Sequence, residues 1–523
     1  MEHRSGPLPL DRQDVCVATL VTLASVALYV RTAAPGLLPG DGGEFQVLGN
    51  LVGHAHTTGY WTYTLLARVW TMLPLGTPAY RVTLFSGMMG AIAMGGLYLA
   101  GRAAIGDRWA TVIATAVVVT STAIWSQAVI AEVYTAGAAF TAAILALVLQ
   151  WRATRRRGYL FAAGVLGGLG LGAHGTVLLL APAVAAFVLA SQSNWRRDVP
   201  TALAGAALGL VLLFGAFWLV DLRDSPHSII HTAYAPAHSA WGVAQGTLDR
   251  PLGRFWFLLS GKQWRSAMFG DPTAIMPRNT VAYGRSLLRD LGIPALALAA
   301  IGAVALARRS WRIALLVTIG YATQMLYTLN YNIGDIHVFF VNAYLYTGLF
   351  LAAGIAAALD ALRTWIPKRQ SAFAPAASVL FLLVILVTRG TPTPWRLLSN
   401  REAYHELSGV PTAEETTRWH ANITATVSAL EPDALVLLDW HNLYPFVYVA
   451  NLEQARGDLR FAEPMPYSQR SGMAESMRAY LVQAAHERPI YSNKPLSALC
   501  EPLFEVSTHQ VGAMRLYRYH LTE

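Results

Sequence analysis

Two carboxylates stand three residues apart in a glycine-rich segment near the amino terminus. The segment is Gly40-Asp41-Gly42-Gly43-Glu44-Phe45, and positions i and i+3 of a helix lie on the same face. A carboxylate within about 3 Å of an attacking hydroxyl can accept its proton. We therefore predict Asp41 and Glu44 as catalytic residues, with Asp41 as the general base. Asp41 also fits a helix N-cap with Glu44 at the third position, and a capping acid can still act as a base.

Two histidines follow in the segment Gly53-His54-Ala55-His56-Thr57-Thr58-Gly59-Tyr60. His54 and His56 could donate hydrogen bonds to a phosphate, bind a metal or cap the next helix, and Tyr60 completes this candidate binding loop. Two histidines two residues apart are weak evidence for a metal site, which needs further ligands. The sequence therefore leaves a divalent metal open and names no certain cofactor.

Further polar residues recur at the ends of long apolar segments. Such groups are costly in lipid and belong in a wet cavity lined by protein, although anchoring at the membrane interface is the alternative for each of them. We predict that they bind the donor or the acceptor of a reaction: Glu132, Tyr134, His174, Asn332, Asp335 and His337. Two cations, Lys262 and Arg265, could hold a phosphate or anchor at lipid headgroups.

The elements that must position these residues are membrane helices. Of the 523 residues, 54% are hydrophobic and only 13% are charged, whereas a soluble domain carries about 25% charged residues. An apolar run of about 20 residues can cross a bilayer as a helix. The sequence therefore predicts an α-helical polytopic membrane protein with eleven spans, at residues 14–33, 80–101, 109–126, 132–151, 158–173, 175–191, 200–220, 291–307, 312–330, 338–358 and 372–390.

Cationic residues between the spans set the orientation. The net charge is +9, and the clusters fall on one side of the membrane if the eleven spans alternate, which is a topology pattern and not a nucleic-acid-binding one. The positive-inside rule then places the amino terminus in the cytoplasm and the carboxyl terminus outside. The Arg- and Ala-rich composition points to a bacterial plasma membrane. The clusters are Arg4 and Arg12; Arg102 and Arg108; Arg152, Arg155, Arg156 and Arg157; Arg196 and Arg197; Arg308, Arg309 and Arg312; and Arg363, Lys368 and Arg369.

Three longer segments would then lie outside the membrane. They are the outer loops 34–79 and 221–290 and the carboxyl-terminal segment 391–523, so we predict a transmembrane domain over 1–390 and an extracytoplasmic α/β domain over 391–523. Short helices are predicted at 41–53 and 59–73 in the first loop. Hydrophobic periodicity in the last segment predicts helices at 414–430, 442–455 and 472–486 and strands at 434–439, 459–462, near 490 and over 503–519.

These residues resemble a known family. Asp41-Gly-Gly-Glu44-Phe45 followed by Gly53-His-Ala-His56-Thr-Thr-Gly59-Tyr60 is similar to the D-S-G-E-F…G-x-A-H-P-x-G-Y-P signature of the family called domain of unknown function 2723, which includes the transmembrane protein 260-like O-mannosyltransferases. The segments 131–134, 172–176 and 332–340 also match in order. Thr57 or Thr58 and Trp61 replace the prolines of the family signature.

The resemblance implies a GT-C glycosyltransferase with a polyprenyl-phosphate-linked sugar as donor. It also implies that the first outer loop carries the catalytic acid, and the animal relatives transfer mannose to Ser or Thr of proteins. We therefore expect transfer of a sugar, with mannose as the candidate, to a hydroxyl of a protein or glycan in one inverting displacement. In this hypothesis Glu44 and Glu132 orient the acceptor or Asp41, or bind a cation. His56, His174, His337 or the cations of 221–290 stabilise the phosphate.

A polytopic transporter or a lipid-linked-sugar flippase is the alternative function. Transporters place polar groups near the membrane midplane and often contain repeated halves. In this sequence the candidate polar groups gather at one end of the predicted spans, and no internal repeat is visible. We therefore favour the transferase, with the lipid bilayer, the lipid-linked sugar and the acceptor as partners and no nucleic acid.

Overall fold

The computed structural model describes residues 6–191, 194–365, 370–390, 394–465, 472–496 and 503–522, and for residues 365 and 370–375 it describes the backbone only. Packing divides the chain into two compact units. The first unit comprises Met1–Ala33, Ser86–Phe214 and Ser266–Ser408, and the second comprises Ala34–Phe85, Gly215–Arg265 and Gly409–Glu523. The predicted domain boundary at residues 390 and 391 stays a prediction.

Long apolar helices dominate the chain. Among the described residues, six helices are long and apolar enough to cross a membrane, and a seventh span forms if two helices bent by 61° count as one. The six are Arg12–Arg31, Pro78–Ile105, Tyr134–Thr154, Trp195–Asp221, Pro272–Arg309 and Ile336–Thr364, and the bent pair is Arg108–Val119 with Thr122–Ala128. The chain is therefore a multi-pass helical membrane protein, as predicted.

The other four predicted spans also coincide with helices, but these are shorter or less apolar. They are Arg157–Gly170, Gly175–Ala190, Trp311–Leu329 and Gln370–Thr388. Every predicted span thus has a helix in the structure, while the count of eleven membrane crossings stays a prediction.

The predicted outer loop 221–290 contains more helix than the sequence reading assigned to it. The helix Pro272–Arg309 starts well before the predicted span at 291, with Asp271 capping the backbone N–H of Ala274 and proline at the first turn. Hydropathy missed this start because the first half of the helix is polar. The helix bends at Gly292, whose φ of 70° is in the left-handed region that favours glycine. The shorter helix Pro251–Leu259 lies in the same predicted loop.

The carboxyl-terminal part of the second unit is an α/β fold, as predicted. Its sheet has the strands β1 (Leu435–Leu437), β2 (Arg460–Ala462), β3 (Ile490–Ser492), β4 (Phe504–Val511) and β5 (Met514–Leu521). The order is β2-β1-β3-β5-β4, with the first three strands parallel and the last two forming an antiparallel hairpin. Three helices belong to this fold: Ala413–Ala429, Trp440–Tyr448 and Glu475–Glu487. Every helix and strand predicted for this part is confirmed.

Two helices of the first outer loop belong to the same unit. The acidic helix, Gly40–Leu51, and the helix Trp61–Trp70 are both confirmed. The acidic helix packs closely against the helix Trp440–Tyr448. A Cβ added at Gly43 would lie only 3.1 Å from Pro445 Cδ. Only glycine leaves room for this approach. The α/β fold therefore positions the helix that carries Asp41 and Glu44.

Candidate active site

Glu44 is fully buried and binds His56 with both carboxylate oxygens. Its Oε2 lies 2.5 Å from His56 Nδ1, and its Oε1 accepts the backbone N–H of His56 at 2.9 Å. The hydroxyl of Tyr444 also donates to Oε1, at 3.2 Å. Burial raises the pKa of the Glu44 carboxyl, the charge of Asp41 adds to this rise, and His56 opposes it. Glu44 thus fixes the position of the His56 ring and has no exposed surface for a substrate.

Asp41 is the accessible carboxylate of the pair. Its side chain is 38% exposed, against 0% for Glu44. Its Oδ1 accepts the indole N–H of Trp440 at 2.6 Å, and its Oδ2 lies 3.7 Å from His56 Nε2. A protonated His56 would direct one N–H towards each carboxylate. In the arrangement Glu44–His56–Asp41, Asp41 is therefore an oriented and partly solvated carboxylate beside two buried side chains.

His54 lies in a different network from His56. The indole of Trp61 can only donate a hydrogen bond, and its N–H points at His54 Nδ1 at 3.0 Å. Nδ1 is therefore the acceptor, and Nε2 carries the proton that is donated to Asp221 at 2.9 Å. Asp221 also binds Arg254 through both carboxylate oxygens, at 2.7 and 2.8 Å. Burial lowers the pKa of His54, so the structure holds it as a neutral anchor of the loop.

Aromatic rings surround His56 and exclude water from its buried side. Tyr60 contacts His56 edge to face, with ring centroids 5.1 Å apart, and Phe45 lies 5.7 Å from the same ring. Trp440 covers a further side at 6.0 Å. Tyr60 adopts a left-handed backbone with φ of 43°, a conformation that persists only where the surroundings enforce it. These rings reduce the local dielectric, which strengthens the interactions of the carboxylates.

The predicted cations Lys262 and Arg265 are in the same unit as the loop. Between them in sequence, Gln263 Oε1 accepts the Tyr234 hydroxyl at 2.5 Å and the Thr57 hydroxyl at 3.4 Å. Thr57 follows His56 directly, so this segment lies beside the candidate loop. Arg265 is exposed and Lys262 is half-buried, and neither forms an ion pair or hydrogen bond with the described part of the chain.

Three residues of the α/β fold join the site and were not predicted as site residues. Trp440 binds Asp41 and Tyr444 binds Glu44. The charges of both acids raise the pKa of the Glu463 carboxyl group. Glu463 directly follows β2, and Asp439 and Trp440 stand two and three residues after the end of β1. The carboxyl ends of parallel strands are where α/β sheets bind ligands, and this was the signal in the sequence that could have found them.

The remaining predicted residues belong to the first unit. Tyr134 and His174 do come together there, with ring centroids 4.9 Å apart, and Phe339 packs against both. His174 Nδ1 accepts the backbone N–H of Thr176 at 3.2 Å. The backbone of Glu132 is held by Ser86, whose hydroxyl donates to its carbonyl at 2.8 Å.

The predicted residues of 332–337 lie on the surface of the first unit. Asn332, Asp335 and His337 are exposed, and Asn332 Oδ1 accepts a hydrogen bond from Arg278 at 3.0 Å. A single binding site that joins the predicted residues of both units stays a prediction.

A metal does not fit the described site residues. Within the described ranges, no group of three or more His, Cys, Asp or Glu side chains is arranged to hold a metal ion. The carboxylate of Glu44 already binds His56 and Tyr444, and that of Asp41 binds Trp440. We therefore derive no step through a metal.

A cavity of about 750 Å³ opens in the second unit. Its lining combines polar and aromatic side chains, among them His231, Arg460, Phe461 and Tyr480. Arg460 and Phe461 belong to β2, and Glu463 stands one residue beyond the end of that strand.

Comparison with known sequences finds a similar family for one part of the chain. Residues 41–197 match the sequence model of the family described as "Protein O-mannosyl-transferase TMEM260 N-terminal domain". Over these residues, the chain is similar to that family of domains. The motif of Asp41 and Glu44 stands at the start of the matched region, which confirms the predicted resemblance.

Two curated relatives carry the TMEM260 name. Protein O-mannosyl-transferase TMEM260 of Mus musculus is 31% identical over 174 residues, which are 32% of this chain and 25% of that protein. Protein O-mannosyl-transferase tmem260 of Dictyostelium discoideum is 25% identical over 149 residues, which are 28% of this chain and 18% of that protein. The match thus spans a quarter or less of the length of these relatives.

Solved structures of ArnT from Cupriavidus metallidurans share the fold over nearly the whole chain. The structure bound to undecaprenyl phosphate has a TM-score of 0.57 at 13% identity and covers 97% of this chain and 98% of that one. The apo structure has a TM-score of 0.55 at 15% identity and covers 97% of each chain. The chain therefore shares the fold of these ArnT structures, in agreement with the predicted multi-pass helical fold.

Proposed function

We propose that the chain is a membrane glycosyltransferase that moves a sugar from a polyprenyl-phosphate donor to a hydroxyl acceptor. The TMEM260 relatives, named as protein O-mannosyl-transferases, support mannose as the sugar and Ser or Thr of a protein as the acceptor. The ArnT structure with undecaprenyl phosphate supports the lipid class of the donor. The predicted topology places the reaction on the outer face of a bacterial plasma membrane.

One observation carries this proposal: Asp41 is exposed beside the buried and oriented side chains of His56 and Glu44. The acceptor hydroxyl attacks the anomeric carbon of the sugar and gives its proton to the Asp41 carboxylate. The new bond joins that carbon to the acceptor oxygen, and the bond to the phosphate oxygen breaks. The indole N–H of Trp440 fixes Asp41, and Glu44 fixes His56 beside it. Lys262 and Arg265 are the cations that we assign to the leaving phosphate.

The same geometry supports inversion at the anomeric carbon. A retaining double displacement would need a second carboxylate as nucleophile. Glu44 is fully buried and accepts hydrogen bonds from His56 and Tyr444, so it is not available to attack. Asp41 alone among this pair can reach a substrate, which fits one direct displacement.

Asp41→Asn is the variant that tests the proposed function. Asparagine keeps the size and can still accept the Trp440 hydrogen bond, but it cannot accept the acceptor's proton. We expect kcat for transfer of radiolabelled mannose from polyprenyl-phosphate mannose to a Ser/Thr peptide to fall by about 10²- to 10⁴-fold. The purified full-length protein in lipid nanodiscs is the material, and NMR of the product gives the anomeric configuration.

Asp433→Asn provides the matched control for this assay. Asp433 is an exposed aspartate of the same unit with a positive φ that asparagine tolerates, so this variant should transfer sugar at the rate of the unaltered protein. Full activity of a folded D41N protein would contradict the assignment of the base. Uptake of the lipid-linked sugar into vesicles without a covalent product would instead support a flippase.

A further inference from the structure

Glu463 is a further carboxyl group at the candidate site, and it lies outside the region matched to the TMEM260 family. It directly follows β2, and its backbone N–H donates to the carbonyl oxygen of Thr232 at 2.8 Å. Only 7% of the residue is exposed. The strand on one side and the Thr232 contact on the other therefore hold it in place.

The surroundings of Glu463 are strongly acidic. The charges of Asp439, Glu44 and Asp41 all act on its carboxyl group. The basic side chains near these acids bind the other acids and not Glu463, since Lys494 binds Asp439 at 2.7 Å and His56 lies against Glu44 and Asp41. Within the described part of the chain, no side chain forms an ion pair or hydrogen bond with the carboxyl group of Glu463. The titratable groups that interact with it are Asp439, Glu44, Asp41 and Tyr234. Tyr444, His56 and Lys494 bind these acids in turn.

A cluster of this kind cannot ionise completely. Neighbouring carboxylates repel each other, so the member without a cationic partner retains its proton. Burial is the main cause, and the charges of Asp439, Glu44 and Asp41 add to it, so that the pKa of Glu463 rises to about 8. Most Glu463 side chains are therefore protonated at neutral pH. A protonated carboxyl group has an O–H donor, whereas a carboxylate can only accept.

We propose that Glu463 works as a neutral acid that donates a hydrogen bond to an anionic oxygen of the donor's phosphate group. This inference rests on the proposed function, because that function brings a phosphate to the acidic site. A carboxylate at this position would repel the phosphate, while a neutral acid binds it without adding a cation beside Asp41. Negative charge grows on the phosphate as its bond to the sugar breaks, so the hydrogen bond strengthens in the transition state.

Binding of undecaprenyl phosphate to the full-length protein tests this role from pH 6 to pH 10. Only the protonated form of Glu463 donates, so the affinity of the unaltered protein should fall about tenfold between pH 7 and pH 9. Glu463→Gln keeps an N–H donor that does not titrate, and its affinity should change less than about twofold over that interval. Glu463→Ala should bind several-fold more weakly than Glu463→Gln at pH 7, because it has no donor.

Glu487→Gln is the matched control, since Glu487 is exposed at the end of the helix Glu475–Glu487. It should show the pH dependence of the unaltered protein. The lipid phosphate titrates equally in all variants, so the comparison at each pH isolates Glu463. Melting temperatures of the variants exclude a folding defect as the cause of weaker binding.

Three outcomes would overturn the proposal. An unchanged pH dependence in Glu463→Gln would show that another group causes it. A loss of binding in Glu463→Gln as large as that in Glu463→Ala would show that the carboxylate form is required. Normal lipid binding by Glu463→Ala, together with a raised KM for the acceptor in the transfer assay, would show that Glu463 binds the acceptor hydroxyl and not the phosphate. Lipid binding is measured without sugar transfer, so this test can succeed or fail independently of the transferase assay.

Discussion

Asp41 and Glu44 carry the same functional group and differ in what surrounds them. Glu44 is enclosed and receives three hydrogen bonds from His56 and Tyr444, whereas Asp41 keeps part of its surface in solvent. A buried carboxylate that binds one imidazole nitrogen orients the ring and sets its tautomer, as in histidine-based catalytic sites. We therefore predict that Glu44 is a positioning residue that acts on Asp41 through His56.

Glu44→Gln tests this positioning role. The amide would place an N–H₂ group against either the ring N–H or the backbone N–H of His56, so one of these hydrogen bonds is lost. We expect kcat to fall about 10- to 100-fold, with a much smaller change in KM. Glu44→Asp should restore part of the loss, and Glu487→Gln should leave kcat and KM unchanged. A raised KM at normal kcat would mean that Glu44 contacts the substrate itself.

At the scale of the elements, the site depends on a close contact between two helices. The acidic helix reaches the helix Trp440–Tyr448 because Gly43 has no side chain in the way. The contact brings Asp41 to Trp440 across 399 residues of sequence. The orientation of Asp41 therefore depends on the packing of these two helices.

Gly43→Ala should weaken this contact. An added Cβ would lie 2.5 Å from the Leu38 carbonyl oxygen and 3.1 Å from Pro445 Cδ, so the backbone or the proline must move. We expect a loss of about 1–3 kcal/mol in stability, seen as a lower melting temperature, together with a lower kcat because Asp41 shifts from Trp440. Gly457→Ala is the control, since a Cβ there meets nothing within 4 Å. Equal melting temperatures for both variants would contradict this account.

The sequence predicted the elements far better than it predicted their contacts. Strands β1 to β3 lie in short segments rich in apolar and aromatic residues. The acidic helix follows from its glycine and carboxylate pattern, so both are local properties. The hydrogen bonds from Trp440 and Tyr444 to the acidic helix depend on tertiary packing, which no local pattern encodes. The separation of His54 from His56 also depends on packing, because it requires Trp61 and Asp221 to bind both ring nitrogens of His54.

At the scale of the whole molecule, function requires that the candidate site faces the leaflet that holds its donor. In the first unit, buried Asp14 near the amino terminus binds two arginines of one cationic cluster, Arg102 at 2.9 Å and Arg108 at 2.7 Å. Arginines gathered at one end of the spans are retained in the cytoplasm during insertion. We therefore predict that the loop after the fourth predicted span is cytoplasmic and that the α/β fold is outside.

Cysteine accessibility tests this orientation. In a variant whose native cysteines are replaced by alanine, single cysteines are introduced as Gly158→Cys, next to the arginine cluster 152–157, or as Asp433→Cys, in the α/β fold. Both positions are exposed, so each will react with a maleimide that reaches it. On intact cells a membrane-impermeant maleimide should label the cysteine at 433 and should label the one at 158 only after permeabilisation. The reverse pattern would place Asp41 with the cytoplasmic leaflet, and the donor would then have to be a lipid-linked sugar that has not yet crossed the membrane.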